Sequence, residues 1–360
     1  MAVLTCVVIL VLSLIAAAFH SHVMNETPID AVSLTLAPYP KVEGVYARNN
    51  LLESAEKLGE GKILQPEDIV PDPTGKFLYV STLDGWIKKL HLADNTVEDW
   101  KRVGGRPLGL AVGNDGELLV CEPTQGLLKV TEDEISVLAT EVNGTKLLLP
   151  DAVTVAKDGL IYLTDATTKY SLDLHLHDTL EARPNGRIVV FDPASKSTHI
   201  LLNDLYFPNG ITISRDDSYL LFAETTTSRI RKHYLKGDRK GETETLTESL
   251  PGFPDNIHWS SKGDVLYVGL VGGPRDAVID LLWQSPFLKS LLALYPSLQK
   301  LFDNSLKWAG VLAIDETGRP VKWLEDRSGK TVACVTTGVE VDGFLYLGGL
   351  RDGFVGRVAA

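Results

Sequence analysis

Five prolines, at positions 66, 107, 150, 208 and 254, each open a phrase of one design, and this repetition limits the fold more than any other feature of the chain. The phrases are QPEDIVPDPTGKFLYVST, RPLGLAVGNDGELLVCEP, LPDAVTVAKDGLIYLTDA, FPNGITISRDDSYLLFAE and FPDNIHWSSKGDVLYVGL. Nine residues after each proline stands the second residue of a turn pair: Gly75, Gly116, Gly159, Asp217 and Gly263. A short alternating run such as Ile211-Thr-Ile213 precedes the turn and a second β-rich run such as Phe77-Leu-Tyr-Val80 follows it, which is hairpin chemistry. Counting back nine from Gly343 in VEVDGFLYLGG reaches Cys334, so a sixth copy carries cysteine in place of proline.

Most intervals between these register positions are roughly 40 to 60 residues, room for four short strands each. Six copies of such a unit predict an all-β fold, a six-bladed β-propeller spanning residues 31–360. The longest interval, from Pro254 to Cys334, exceeds one blade and holds an insertion at 274–308. Only 27 residues remain from Cys334 to Ala360, enough for three strands. The fourth is expected from AVSLTLAPYP, where Val32, Leu34 and Leu36 alternate, so that the two chain ends close the ring.

With 44% apolar residues the chain can bury a large core, and its net charge of −12 comes with no concentrated basic run. That balance excludes a nucleic-acid surface, which needs clustered positive charge. Residues 1–22 carry an apolar stretch from about Val7 to Ala18 followed by small residues, the grammar of a signal peptide or a signal anchor. Either sends the chain into the secretory pathway. Two glycosylation sequons, at Asn25 and Asn143, fit that route. Beyond residue 22 only Cys121 and Cys334 remain, as one disulfide or two unpaired thiols.

In a propeller the first strand of each blade lines the axial channel, so equal offsets mean equal heights. The residues directly after the register positions are Glu67, Leu108, Asp151, Asn209, Asp255 and Val335, and Asn256 follows Asp255. Five oxygen-bearing side chains, three of them acids, would converge on the axis. Acids crowded in a low-dielectric spot repel unless protonated or neutralised. A hard cation taking about 6–8 oxygens fits, and Ca²⁺ is the expected cofactor, held by Glu67, Asp151, Asn209, Asp255 and Asn256.

The phrases LLPDAV, FPNGITIS and PGFPDNI, with GRPLG and AETTTSRIRKHY, resemble the strictosidine synthase-like family, including its adipocyte plasma membrane-associated type. More distantly they are similar to calcium-dependent lactonases and arylesterases of the paraoxonase type. The resemblance implies the same six blades and an axial Ca²⁺ on the five residues above, with Asp151 where paraoxonase-type relatives carry asparagine. It also implies two departures. The stretch CVTTGVEVDGFLYLG puts Thr336 where true strictosidine synthases carry their catalytic glutamate, and threonine cannot shuttle that proton. Leu108 stands where paraoxonases carry a histidine, and Glu122 aligns with their second one.

A calcium-dependent hydrolase of small apolar or aromatic esters or lactones is therefore expected, with the ion polarising the carbonyl, Asp255 at the reacting centre and Glu122 activating water. The alternatives are a non-enzymatic propeller with structural calcium and a strictosidine-forming condensing enzyme. The resemblance favours the vacuole, with endoplasmic reticulum or cell exterior as other destinations. Leucines and aromatics in the insertion recur at helical spacing and Pro286 and Pro296 divide it, which predicts short helices acting as a lid or touching a membrane. His175 and His177 are expected on an extended rim loop, and His258 in a structural role at the channel.

Overall fold

The computed structural model describes residues 2–305 and 307–360; Met1, in the expected signal segment, and Leu306, in the expected insertion, lie outside the described residues. Six four-stranded antiparallel sheets form, and each of the first five runs consecutively along the chain. Blade 1 spans residues 69–102, blade 2 110–139, blade 3 150–205, blade 4 208–247 and blade 5 253–326. At the shared turn position all six residues have positive φ, from Asp217 at 56° to Gly159 at 90°. Glycine reaches that region without strain and aspartate tolerates it, which is why the turn pair recurs.

Apolar side chains pack between blades rather than within them. Ile69, Leu78 and Val80 of blade 1 meet Leu58, Val339, Val341 and Tyr346 of its neighbour, and five equivalent clusters fill the other junctions. Every blade therefore depends on two others, and the ring is one unit.

The sixth blade combines Val335–Val341, Phe344–Gly349 and Val355–Ala359 with a strand from the start of the chain. That strand is Glu56–Leu58, paired with Val355–Arg357, and not the Val32–Leu36 segment expected from its alternation. A closing strand must lie next to blade 1 along the chain, and Glu56–Leu58 ends just before it. Leu34 and Leu36 instead pack in extended form with Phe253, Ile279, Leu282 and Trp283, a setting that alternation matches equally well.

Between the second and third strands of blade 5 stand three helices, α3 (Ala277–Gln284), α4 (Pro286–Leu294) and α5 (Pro296–Ser305), following the N-terminal α1 (Ala2–Glu26) and the short α2 (His175–Glu181). Asp276 and Ser285 cap α3 and α4 by accepting from backbone amides, and Pro286 and Pro296 open α4 and α5. Trp283 of α3 stacks on Phe253 at 4.8 Å, and its indole donates to the Thr226 carbonyl at 2.9 Å. The helices thus dock beside the register proline of blade 5 and against the loop between the second and third strands of blade 4.

His175 and His177 begin α2 instead of occupying an extended loop. The His175 ring nitrogen Nδ1 lies 2.7 Å from the Leu172 carbonyl, and His177 packs on Tyr170. The alternation in LDLHLHD imitates a strand, yet α2 is too short for its periodicity to show. Cys121 and Cys334 are both buried free thiols.

Candidate functional site

Four of the six first strands are irregular just where they enter the channel: the pairing register shifts between Pro150 and Val153, Pro208 and Ile211, Pro254 and Ile257, and Val335 and Thr337. A bulge re-aims side chains that a regular strand would alternate between faces. It lets the consecutive residues Asp255 and Asn256 both take part in the axial site.

Glu67, Asp151, Asn209 and Asp255 are all buried, 3–5% exposed. The Asn256 amide donates to Glu67 Oε1 at 2.8 Å, and Asn209 hydrogen-bonds to the Asp255 carboxyl. Residues from blades 1, 4 and 5 are so joined at one place. Burial raises the Glu67 carboxyl far above its ordinary range, and the charges of Asp255, Asp68 and Asp151 raise it further. Asp255 is raised in the same way by burial and by Asp151, and Asp151 is pushed up to about 7 by burial, Asp68 and Asp165.

Just below, Asp68 is fully committed. Its carboxylate accepts from the Ile69 and Leu110 amides at 2.8 and 2.9 Å and from Thr337 Oγ1 at 3.0 Å, and faces His258 Nε2 at 2.8 Å. This places His258 at the channel, tying blade 5 to blade 1.

Among the described residues no three His, Cys, Asp or Glu side chains form a ready metal cluster. The donor set here is mixed, with two carboxamides, and two of its oxygens have no protein partner: Glu67 Oε2 and Asn209 Oδ1 are buried and unbonded. Unpaired buried acceptors beside acids that resist ionisation match what a hard cation satisfies. Glu67, Asn209 and Asp255, with Asp151 and Asn256 beside them, fit Ca²⁺.

Glu122 is placed differently from the expectation of a base. It is fully buried, and its carboxylate accepts from the amides of Arg106, Thr124 and Gln125 at 2.8–3.0 Å and from Thr124 Oγ1. Asp165 and Glu224 stand at the same blade position and bind the loops before their own prolines, through the Leu148, Leu149 and Tyr206 amides. Glu122 is one of three repeated loop braces, each an acid at the end of its blade's second strand. Leu108 packs with Leu149, Ala166 and Phe207, and Thr336 Oγ1 donates to the Glu67 carbonyl at 2.6 Å.

Sequence reasoning passed over Arg106, directly before Pro107. Both terminal guanidinium nitrogens are buried and have no hydrogen-bond partner. Burial lowers its pKa while the fields of Glu67, Asp84 and Asp255 draw it back up. A side chain of blade 2 that feels Asp255 of blade 5, three places around the ring, reaches towards the axis. The signal was its offset, one residue before the register proline, where Phe253 stands in blade 5.

Gly109 and Gly210 hold equivalent places two residues after their prolines. A Cβ on Gly210 would meet the Asp255 carbonyl at 2.5 Å and Asn256 Cα at 2.7 Å; one on Gly109 would meet the Asp151 carbonyl at 2.5 Å. The acidic residues reach their positions because their neighbours lack side chains. Gly210→Val is expected to cost roughly 1–3 kcal/mol of stability and to weaken calcium binding, read by denaturant unfolding and calorimetric titration; wild-type values in both would contradict this account.

The sequence pattern of the strictosidine synthase family matches residues 151–238, and that of the strictosidine synthase-like N-terminal region matches 44–90. Strictosidine synthase-like protein 6 of Arabidopsis thaliana is 35% identical over 346 residues, 92% of this chain and 87% of that protein. The chain belongs to the strictosidine synthase-like family. Another of its relatives, the adipocyte plasma membrane-associated protein of Mus musculus, is 33% identical and the match covers 97% of this chain and 88% of that one. Among solved structures, a gluconolactonase from Xanthomonas campestris aligns with a TM-score of 0.60 at 17% identity, over 91% of this chain and 97% of that one. The calcium-binding protein regucalcin of Agrobacterium tumefaciens gives 0.56 at 14%, over 90% and 95%. At these identities the structures speak for a shared propeller fold.

Proposed function

We propose that this strictosidine synthase-like protein is a calcium-dependent hydrolase acting on esters or lactones with an apolar or aromatic body. One observation carries the reading: Glu67 Oε2 and Asn209 Oδ1 are buried acceptors without partners, and Arg106, whose two terminal guanidinium nitrogens are likewise buried without partners, feels the charges of Glu67 and Asp255. A bound Ca²⁺ would supply Lewis-acid polarisation of the substrate carbonyl. Arg106 offers N–H donors to the oxygen on which negative charge grows, and donors already fixed in a dry site act without reorganising. Asp151, beside the axial acids, is the carboxylate we assign to take a proton from the attacking water and return it to the leaving oxygen. Asp255, hydrogen-bonded to Asn209, keeps the reacting centre polar, while Phe253 and, from the lid itself, Trp283 give the apolar part of the substrate a wall.

Strictosidine formation is not part of this reading, because Thr336 is spent on the Glu67 carbonyl and has no carboxylate to offer. The gluconolactonase and regucalcin likenesses support a lactone or ester and a calcium ion by analogy alone. The apolar α1 supports delivery into the secretory pathway, with the vacuole as destination. Asn143, at φ 51° in an exposed hairpin turn, is the acceptor we assign for a glycan, whereas Asn25 lies in α1 with its amide on Ser21.

The test is hydrolysis of a panel of aryl esters and lactones by the purified chain, with calcium and with chelator, beside Arg106→Met. Turnover that needs calcium, and a loss of about 100-fold in Arg106→Met, is expected. No turnover on the whole panel, together with a chelator-induced loss of thermal stability, would leave calcium structural and overturn the enzymatic reading.

A further inference from the structure

Helix α1 does not stand clear of the fold. Within Leu4–Glu26 its most apolar 18-residue window has a mean hydropathy of 2.3, and none of that window is buried by the protein. Yet its last turns are built into the lid: His20 stacks on Phe287 of α4 at 4.9 Å, Phe19 meets the same ring edge-on at 6.3 Å, and Val23 is wholly buried. The stitching continues without a linker. Ile29 packs with Tyr170, Leu180 and Ala293, the Val32 carbonyl accepts from the buried Lys289 ammonium, and the Leu34 amide donates to the Trp283 carbonyl. Cleavage after residue 22 would strip Phe19 and His20 from Phe287.

The outer side of the lid carries an apolar face of its own. Val278 is 69% exposed, Leu281 59% and Leu301 68%, although Ile279, Leu282 and Trp283 of the same segment already fill the inner contact. A lid helix facing only water would place polar residues there. The part of α1 clear of the lid, from Ala2 to Ala18, is about 25 Å long, short of a hydrocarbon layer of about 30 Å, so a span would have to draw the lid-packed turns from Phe19 onwards to the membrane boundary.

We infer that α1 stays attached and crosses a bilayer, and that the outer face of the lid, through Val278, Leu281 and Leu301, rests on that same bilayer. The two observations constrain each other, because a span that ends inside the lid leaves the lid no more than a helical turn from the membrane surface. If the hydrolase reading also holds, the channel mouth beneath the lid faces the membrane and takes its apolar substrates from it; the seating of the lid does not depend on that reading.

The experiment uses the full chain, with Cys6→Ser to remove the exposed thiol, expressed in microsomes and reconstituted into phosphatidylcholine vesicles containing a bilayer-embedded nitroxide. A fluorophore is placed at Leu281→Cys, at Leu301→Cys or, on an outer blade strand where the native residue is 53% exposed, at Val137→Cys. Expected are a mature chain that retains residues 2–22 by mass spectrometry, and quenching at 281 and 301 at least about threefold stronger than at 137. A mature N-terminus beyond residue 22 overturns the inference. So does quenching at 281 and 301 no greater than at 137, which would mean that water or a second copy covers this face. Neither readout involves turnover, so it stands or falls apart from the proposed activity.

Discussion

Asp255→Ala is expected to lower kcat/KM for the best ester or lactone by about 100-fold or more at saturating calcium, since even outer partners of metal ligands cost 10–100-fold when removed. Asp255 is buried, feels Asp151, bonds to Asn209 and draws on the field of Arg106, so its loss unsettles groups from four blades at once. Asn209→Ala is expected to act similarly, because Asn209 Oδ1 is one of the two axial acceptors left without a partner. Glu122→Gln makes the contrast. Its brace holds the Arg106 amide and two others, so stability should fall while calcium still restores turnover in the folded fraction. Steady-state kinetics with a calcium titration separate these outcomes. An Asp255→Ala enzyme within a few-fold of wild type would remove the axial residues from the chemistry.

The second large effect is a reversal of the usual dependence of stability on pH. Glu67 and Asp255 titrate well above an ordinary carboxyl in the folded protein and Asp151 titrates at about 7, for the reason of burial first and mutual repulsion second. Unfolded, all three would titrate near 4. Between these values the native state holds more protons than the unfolded one, so without calcium the stability falls as pH rises from about 4 through 7 and beyond. Carboxyls with lowered values, such as Asp216 and Asp315 at about 2, act oppositely but lose their contribution only below about 4. Calcium-free protein should melt on the order of 5 °C higher at pH 5 than at pH 8, and calcium at pH 8 should recover that difference. Asp151→Asn should flatten the profile and reduce the gain from calcium. A calcium-free melting temperature that rises steadily from pH 5 to pH 8 would mean that these acids are not crowded in solution.

The chain order of blades, the six turns and the convergence of Glu67, Asn209 and Asp255 were legible in the sequence because repetition turns a local offset into a common height around a ring. The prolines and the positive-φ turn residues are local requirements of backbone geometry, and they leave marks in the residue types themselves. Burial alternation carried less. Val32, Leu34 and Leu36 pattern as a strand yet pack under the lid, while Glu56–Leu58 closes the ring with one buried residue of three. His175 and His177 failed for a related reason, since seven residues are too few to distinguish helix from strand.

What only the tertiary structure decided is how side chains from different blades share their charges. Whether Glu122 faces solvent or braces a loop depends on the path of residues 103–106, and whether Arg106 is free or paired depends on Glu67 and Asp255, which lie 39 and 149 positions away in the chain. No local pattern encodes those meetings, because electrostatic coupling in a buried channel is set by distance and dielectric rather than by order along the chain. The seating of α1 on Phe287 is of the same kind. Sequence fixes an apolar helix near the start of the chain, and packing alone turns its last turns into part of the lid.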